Sequence, residues 1–427
     1  MGRTGRRAGR FALPVAALLA AACPTRLPPP DPATEAETVL AQLAAGDLDG
    51  AAVRVAAARR MFPADGGLCA CSATVADLLW RDELAIAEWR ALAGTKDRAG
   101  WSMAVVRGRL GDQLFLSGRY GEALVPLLTG QVGPDAARRR ALVAVARELP
   151  FRRKQVGPLT TEQPLPDDAL PEYVCSIGDV RRVFAVDTGS SMTTIATSLA
   201  TAANAHVMFD AGEVPDGTGR PVPVRMAVID QFAVGDIWLG TVPVLVVDDD
   251  RLAMRDAFGG PERPPIGVLG LDVLALFRVS IDPVRKTLSF ELPRGLPEST
   301  SVQCVRSDGR CLLPVAVEGR RLWFVLDTGA SNSSLTEDGL QALPGGGSRA
   351  TPGFRRVRTA GGGAVVVREV HNLVLRVSEA RFPGIDLPVV ARPSGTLFPV
   401  HGVLGIDLLR VCRVVFDRGR ARLEPAQ

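Results

Sequence analysis

Hydrophobic positions change their rhythm twice along this chain of 427 residues. Between Phe11 and Ala22 they run almost unbroken, behind a positive stretch carrying Arg3, Arg6, Arg7 and Arg10. That run is too short to cross a bilayer as a helix and has the layout of an export signal. From about Thr34 to Glu148 apolar residues recur at helical spacing, in a background of alanine, leucine and arginine. Prolines then accumulate, and "PLTTEQPLPDDALP" (Pro158 to Pro171) reads as a linker. Beyond it, short valine-rich runs are bounded by turn residues, which is the pattern of strands. The rhythm predicts several domains, helical first and mainly β afterwards.

The β part repeats itself. "YVCSIGDVRRVFAVDTGSS" is answered later in the chain by "LPVAVEGRRLWFVLDTGAS". Each is a strand, a Gly-containing turn, a second strand and Asp-Thr-Gly. Glycine-rich turns follow in both copies, within "PDGTGRPVPVRMAV" and "TAGGGAVVVREV". Later "IGVLGLDVLALFRVSIDPVRKTLSFE" is matched by "HGVLGIDLLRVCRVVFDRGRARLEP". The interval from Asp187 to Gly270 is nearly that from Asp327 to Gly405, so order and spacing are kept: a duplicated domain. The helical part also holds three similar pieces, "GDLDGAAV" from Gly46, "LWRDELAI" from Leu79 and "GRYGEALV" from Gly118. Their spacing is close to a period of roughly 34 residues, and they resemble tetratricopeptide repeats; an unrelated helical bundle is the alternative. Such helices would bind a protein partner or space the rest from a membrane.

Composition narrows the function. Apolar content of 47% supports buried cores, and the net charge is only +4. Arginine is scattered and aromatics are 5%, so there is no basic, aromatic stripe for nucleic acid. With three histidines, no H-E-x-x-H and no paired C-x-x-C, no metal site and no cofactor is expected. "LLAAAC" resembles a bacterial lipobox, which implies lipidation of Cys23 and an exported, envelope-facing lipoprotein; ordinary signal-peptidase cleavage is the alternative. Six further cysteines permit disulfides in an exported chain. Cys304 and Cys311 flank an expected hairpin turn at Asp308-Gly309, which would bring them close.

Each β copy resembles a retropepsin-like aspartic protease lobe of the bacterial type, over about Pro171 to Leu423. The motifs that carry this are Asp-Thr-Gly, the glycine-rich hairpin and the late "VLGLD" and "VLGID" elements. The fold class expected is an all-α helical-repeat domain followed by two tandem mainly-β retropepsin-like lobes. The boundaries are 1–23 for the signal, 24–33 for a Pro-rich tether, 34–150 for helices and 151–170 for a linker. The lobes are 171–292 and 304–427, joined by a linker over 293–303.

The resemblance explains the duplication. Peptide hydrolysis without metal or covalent intermediate needs one carboxylate to take a proton from water and one carboxylic acid to polarise the carbonyl. Two carboxyls held ~3 Å apart share one proton, for which aspartic proteases are the standard case. One lobe supplies one carboxyl, so Asp187 and Asp327 are the expected catalytic pair. Pairing within one chain is preferred here to pairing between chains. Gly189 and Gly329 are expected to allow the tight loops, and Thr188 and Thr328 are implied to cross-bond between lobes. Ser190 faces Ala330 in the alignment. A hydroxyl on the outer oxygen of Asp187 would make Asp187 the more acidic partner and leave the proton on Asp327. Gly217, Gly219, Gly361, Gly362 and Gly363 are candidate flap positions. Asp272 and Asp407 read as structural caps or turn residues, and His401 as a surface or packing histidine. The function implied is an aspartic endopeptidase acting on a peptide or protein substrate; the alternative is a non-catalytic peptide-binding or scaffold lipoprotein.

Overall fold

The computed structural model describes residues 31–96, 98–130, 136–148, 157–165, 170–215, 221–252, 267–351, 356–358, 364–390 and 398–425. Cys23, the signal, and the flap positions Gly217, Gly219, Gly361, Gly362 and Gly363 lie outside them.

Seven helices come first: α1 (Pro32–Ala44), α2 (Leu48–Met61), α3 (Gly66–Leu78), α4 (Asp82–Gly94), α5 (Met103–Leu116), α6 (Tyr120–Thr129) and α7 (Ala136–Glu148). Asp31 caps α1 by accepting from the Thr34 N–H, so the helix starts inside the stretch expected to be tether. The three similar sequence pieces are the turns into α2, α4 and α6. Gly46, Trp80 and Gly118 there are all left-handed, at φ 76°, 61° and 72°. For Trp80 that conformation is strained, and packing compensates: its ring meets Phe416 edge-on and carries Arg306 over its face. No helix among the described residues is long and apolar enough to cross a membrane.

Lobe 1 contains β1 (Thr160–Pro164), β2 (Glu172–Ile177), β3 (Val180–Val186), β4 (Thr194–Ala196), α8 (Thr197–Ala202), β5 (His206–Pro215), β6 (Pro221–Val234), β7 (Ile237–Val247), β8 (Gly267–Leu269), α9 (Leu271–Leu274), β9 (Arg278–Asp282) and β10 (Thr287–Glu291). Lobe 2 repeats the plan after β11 (Val302–Gln303) and β12 (Val305–Ser307). It runs β13 (Arg310–Val317), β14 (Arg320–Leu326), β15 (Ser334–Thr336), α10 (Glu337–Ala342), β16 (Arg356–Arg358), β17 (Ala364–Val366), β18 (Arg368–Val377), β19 (Ala380–Val390), β20 (Gly402–Leu404), α11 (Ile406–Leu409), β21 (Cys412–Asp417) and β22 (Arg420–Pro425).

The two seven-stranded sheets share a six-strand order, β2-β3-β8-β4-β7-β6 in lobe 1 and β13-β14-β20-β15-β19-β18 in lobe 2; lobe 1 adds β5 at one edge and lobe 2 adds β12 at the other. A third sheet, β1-β10-β9-β21-β22-β11, draws strands from both lobes and welds them. Two expected linkers therefore contain structure. Thr160–Pro164, within the stretch 151–170, pairs antiparallel with β10. Val302–Gln303, within 293–303, pairs with β22. Polar and Pro-rich sequence hid both, because an edge strand pairs through its backbone. One apolar core runs through the two lobes, with Phe184, Phe277 and Phe290 beside Phe324 and Phe416.

All six described cysteines are free and buried. Asp308 and Gly309, both left-handed, form the expected turn, and Arg306 pairs with Cys311 across it. The Cys304 and Cys311 thiols are neighbours, yet no disulfide joins them.

Candidate active site

The same crossing builds both Asp-Thr-Gly loops. In lobe 1, β8 lies parallel to β3 and antiparallel to β4. In lobe 2, β20 does the same between β14 and β15. Phe184, Val186, Phe324 and Leu326 are fully buried, which anchors the strands entering each loop. The Asp187 N–H donates to Leu269 O at 3.1 Å and the Asp327 N–H to Leu404 O at 3.0 Å, so each loop leaves its sheet at the same point.

Below each loop a hydroxyl and a carboxylate tie the chain to the late glycine element. Asp272 Oδ1 accepts from Thr193 N at 2.8 Å, Thr193 Oγ1 at 2.9 Å and Val273 N at 2.9 Å. Asp407 Oδ1 accepts from Ser333 N at 2.8 Å, Ser333 Oγ at 2.7 Å and Leu408 N at 3.0 Å. The same hydroxyls accept from Gly270 N and Gly405 N. Asp272 and Asp407 are structural ties, as the sequence suggested. Thr193 and Ser333 were missed, although a hydroxyl at the equivalent position of both copies was a visible signal. His401 is half-buried: its Nδ1 accepts from the Trp323 N–H at 3.0 Å, and burial lowers its pKa.

The loops meet at their threonines. Thr188 N donates to Thr328 Oγ1 and Thr328 N to Thr188 Oγ1, both at 3.1 Å. Thr188 Oγ1 donates to Leu326 O at 2.7 Å, and Thr328 Oγ1 to Val186 O at 2.5 Å. Both threonines are buried, so these interlobe bonds replace water on every group involved.

Asp187 and Asp327 are brought together, and both keep partial exposure. A Cβ on Gly189 would stand 2.4 Å from Asp327 Cγ, and one on Gly329 would stand 2.4 Å from Asp187 Cγ. Each glycine makes room for the opposite lobe's carboxyl. Neither glycine has positive φ, so what the tight loops require here is space for the carboxyl and not a left-handed turn. Asp187 Oδ1 accepts from Gly189 N at 2.8 Å and Ser190 N at 3.2 Å; Asp327 Oδ1 accepts from Gly329 N at 3.1 Å. Burial and the adjacent Asp327 carboxyl push Asp187 up to about 8, against the pull of those backbone donors.

One expectation is corrected here. The Ser190 hydroxyl donates to Met192 O at 2.9 Å, not to the Asp187 carboxylate. Only its backbone N–H reaches Asp187, and any residue supplies that. Serine at 190 therefore gives no ground for calling Asp187 the more acidic partner.

An aspartyl protease family model matches this chain twice. The matches span residues 174–273 and 313–408, one in each lobe. Among solved structures, a retropepsin-like aspartic protease from Rickettsia conorii shares 14% identity at a TM-score of 0.23, covering 33% of this chain and 96% of that one. No match was found among curated proteins. The molecule is thus a helical region followed by two β-barrel lobes, each matched by the aspartyl protease family model. Among the described residues, no cluster of histidine, cysteine and carboxylate side chains has the makings of a metal site.

Proposed function

We propose that the protein is an aspartic peptidase, with Asp187 and Asp327 as the catalytic pair. The observation that carries this is the reciprocal fit in which each loop glycine leaves space for the other lobe's carboxyl. The raised Asp187 supports a pair that holds one proton between them near neutrality. In this reading the charged carboxyl takes a proton from water, whose oxygen bonds to the peptide carbonyl carbon. The protonated carboxyl donates to the carbonyl oxygen. Collapse of the tetrahedral intermediate breaks the C–N bond, and the amine leaves with a proton returned through the pair. The interlobe threonine bonds keep the two carboxyls in register, which a reaction sensitive to displacements of about 1 Å requires. Export and lipid anchoring through Cys23 belong to the same proposal.

The test is hydrolysis of a diverse peptide mixture from acidic to neutral pH by wild type, Asp187→Asn and Asp327→Asn. Either substitution is expected to lower kcat/KM by about 10³-fold or more while the fold persists. Hydrolysis that survives in both variants would remove the pair from the chemistry.

A further inference from the structure

Helices α1 to α3 pack against lobe 2, and α7 packs against lobe 1. Alternation along β14 puts Val325 on the same face as Asp327, with Phe324 and Leu326 on the opposite, core face. Val325 pairs with Leu312 on one side and Val403 on the other, and Leu312 pairs with Val305. This row crosses β12, β13, β14 and β20 on the face that carries Val325. It is 0–2% exposed, and it shares one continuous apolar cluster with Val39, Leu43, Leu48, Val55 and Val75 of α1, α2 and α3. Trp323, two residues further back, is sealed by donating from Nε1 to Gly46 O at 3.0 Å.

The array then crosses to lobe 1. Arg306 pairs with Asp77 at 2.6 Å and Asp82 at 2.5 Å. A Cβ on Gly309, at the tip of the β12–β13 hairpin, would lie 2.6 Å from Ser191 Cβ, in the loop that carries Asp187. A small cavity at this junction is bounded by Trp80 and Ser117 of the array, by Ser191 and by Arg306. Met192, the next residue of the loop, belongs to the cluster that includes Leu142 and Val145 of α7. So do Val222, Val224 and Met226 of β6, whose alternate residues Ala227 and Ile229 face the lobe core. Thus α7 covers the face of the long β5–β6 hairpin that turns away from that core.

The pseudo-twofold mates are not covered in this way. Val183, the mate of Trp323, is 39% exposed against 1%. Ala185 and Val268, the mates of Val325 and Val403, are each 6% exposed and belong to neither helix-packed cluster. An extended peptide lying across Asp187 and Asp327 leaves in two directions, and the pseudo-twofold axis makes those directions equivalent in the lobes alone. The array breaks the equivalence.

We propose that the helical array is a fixed stop at one end of the cleft, so that the protein cuts peptides close to a chain end. The bound chain extends only into the half walled by Ala185 and Val268. This rests on the aspartic peptidase reading and narrows the endopeptidase that the sequence implied to a chain-end selector. The contacts are those of a constitutive domain interface: a buried tryptophan, an arginine between two aspartates and two apolar clusters.

The experiment gives the full chain linear peptides long enough to overhang both ends of the cleft, with head-to-tail cyclised versions of the same sequences, and reads products by mass. Arg306→Ala/Trp323→Ala, which loosens the stop, and Asp187→Asn run beside it. Expected are short terminal fragments from linear peptides, cyclic peptides cut at least about 100-fold more slowly, and a shift to internal cuts in the double variant. The fragment mass tells which end is read. Internal cuts by wild type, or cyclic peptides cut as fast as linear ones, would overturn the stop without touching the peptidase reading, and need no variant that must fold. A silent wild type beside a double variant that cuts internally would make the array a reversible inhibitor and sink the selector. Absence of Asp187-dependent cleavage in every protein would fail the peptidase reading itself.

Discussion

Gly189→Ala probes the carboxyl pair without removing a charge. Its new methyl has no room beside Asp327, so either the loop or the opposite carboxyl must shift. The expected outcome is a fall in kcat of about 100-fold with the fold retained, measured by steady-state kinetics beside circular dichroism. Unchanged kcat would mean that the two loops do not approach as described. Ser190→Ala should do little. Its hydroxyl serves Met192 O, so the acidic limb of the pH–rate profile should not move, and stability should fall by about 1 kcal/mol at most. The pair itself titrates with a definite sign. A carboxyl at about 8 in the folded protein and near ~3.9 in the unfolded chain holds its proton longer when folded. Its stabilising contribution is complete below about pH 4 and is lost as pH rises through about 8. Wild type should therefore lose more thermal stability between pH 4 and pH 8 than Asp187→Asn does, by an amount on the order of a few kcal/mol. Equal losses in the two proteins would place the raised carboxyl elsewhere.

At the scale of elements, the threonine cross-bonds and the β8 and β20 crossings hold two loops that neither lobe could position alone. Thr328→Val keeps the shape but leaves Val186 O and Thr188 N without their buried partners. Each orphaned group costs about 1–3 kcal/mol. A drop in unfolding free energy of about 2–6 kcal/mol for the two together, with activity falling alongside, is the expected result of denaturant titration; a neutral variant would mean that water replaces the hydroxyl. The β1 and β11 strands act differently. Both add backbone bonds at the two outer edges of the sheet shared by the lobes, so their polar sequences carry no apolar signal.

For the whole molecule, the shared sheet and the array make the two lobes one body. Arg306 is the clearest single tie: its guanidinium sits between Asp77 and Asp82 and over the Trp80 ring. Arg306→Met should cost about 2 kcal/mol, since Asp77 and Asp82 keep some access to water. The loss should appear in the joint melting of helices and strands, read by far-ultraviolet circular dichroism. Separate melting of helices and strands in wild type would contradict a single body.

Read by itself, the chain determined the repeated lobe, the strand preceding each Asp-Thr-Gly, the paired carboxyls and the structural roles of Asp272 and Asp407. Those are legible because strand alternation, turn chemistry and a motif repeated with its surroundings are written along one dimension. The tertiary structure decided what the glycines do and where the Ser190 hydroxyl points. It also decided that α1 to α3 cover the second apolar face of β14. In "RLWFVL" apolar residues fall on both faces of β14, and alternation alone assigns Phe324 and Leu326 to a core but names no partner for Trp323 and Val325. Which surface covers a second apolar face depends on close packing between segments far apart in the chain, and burial is non-directional, so no local pattern encodes it.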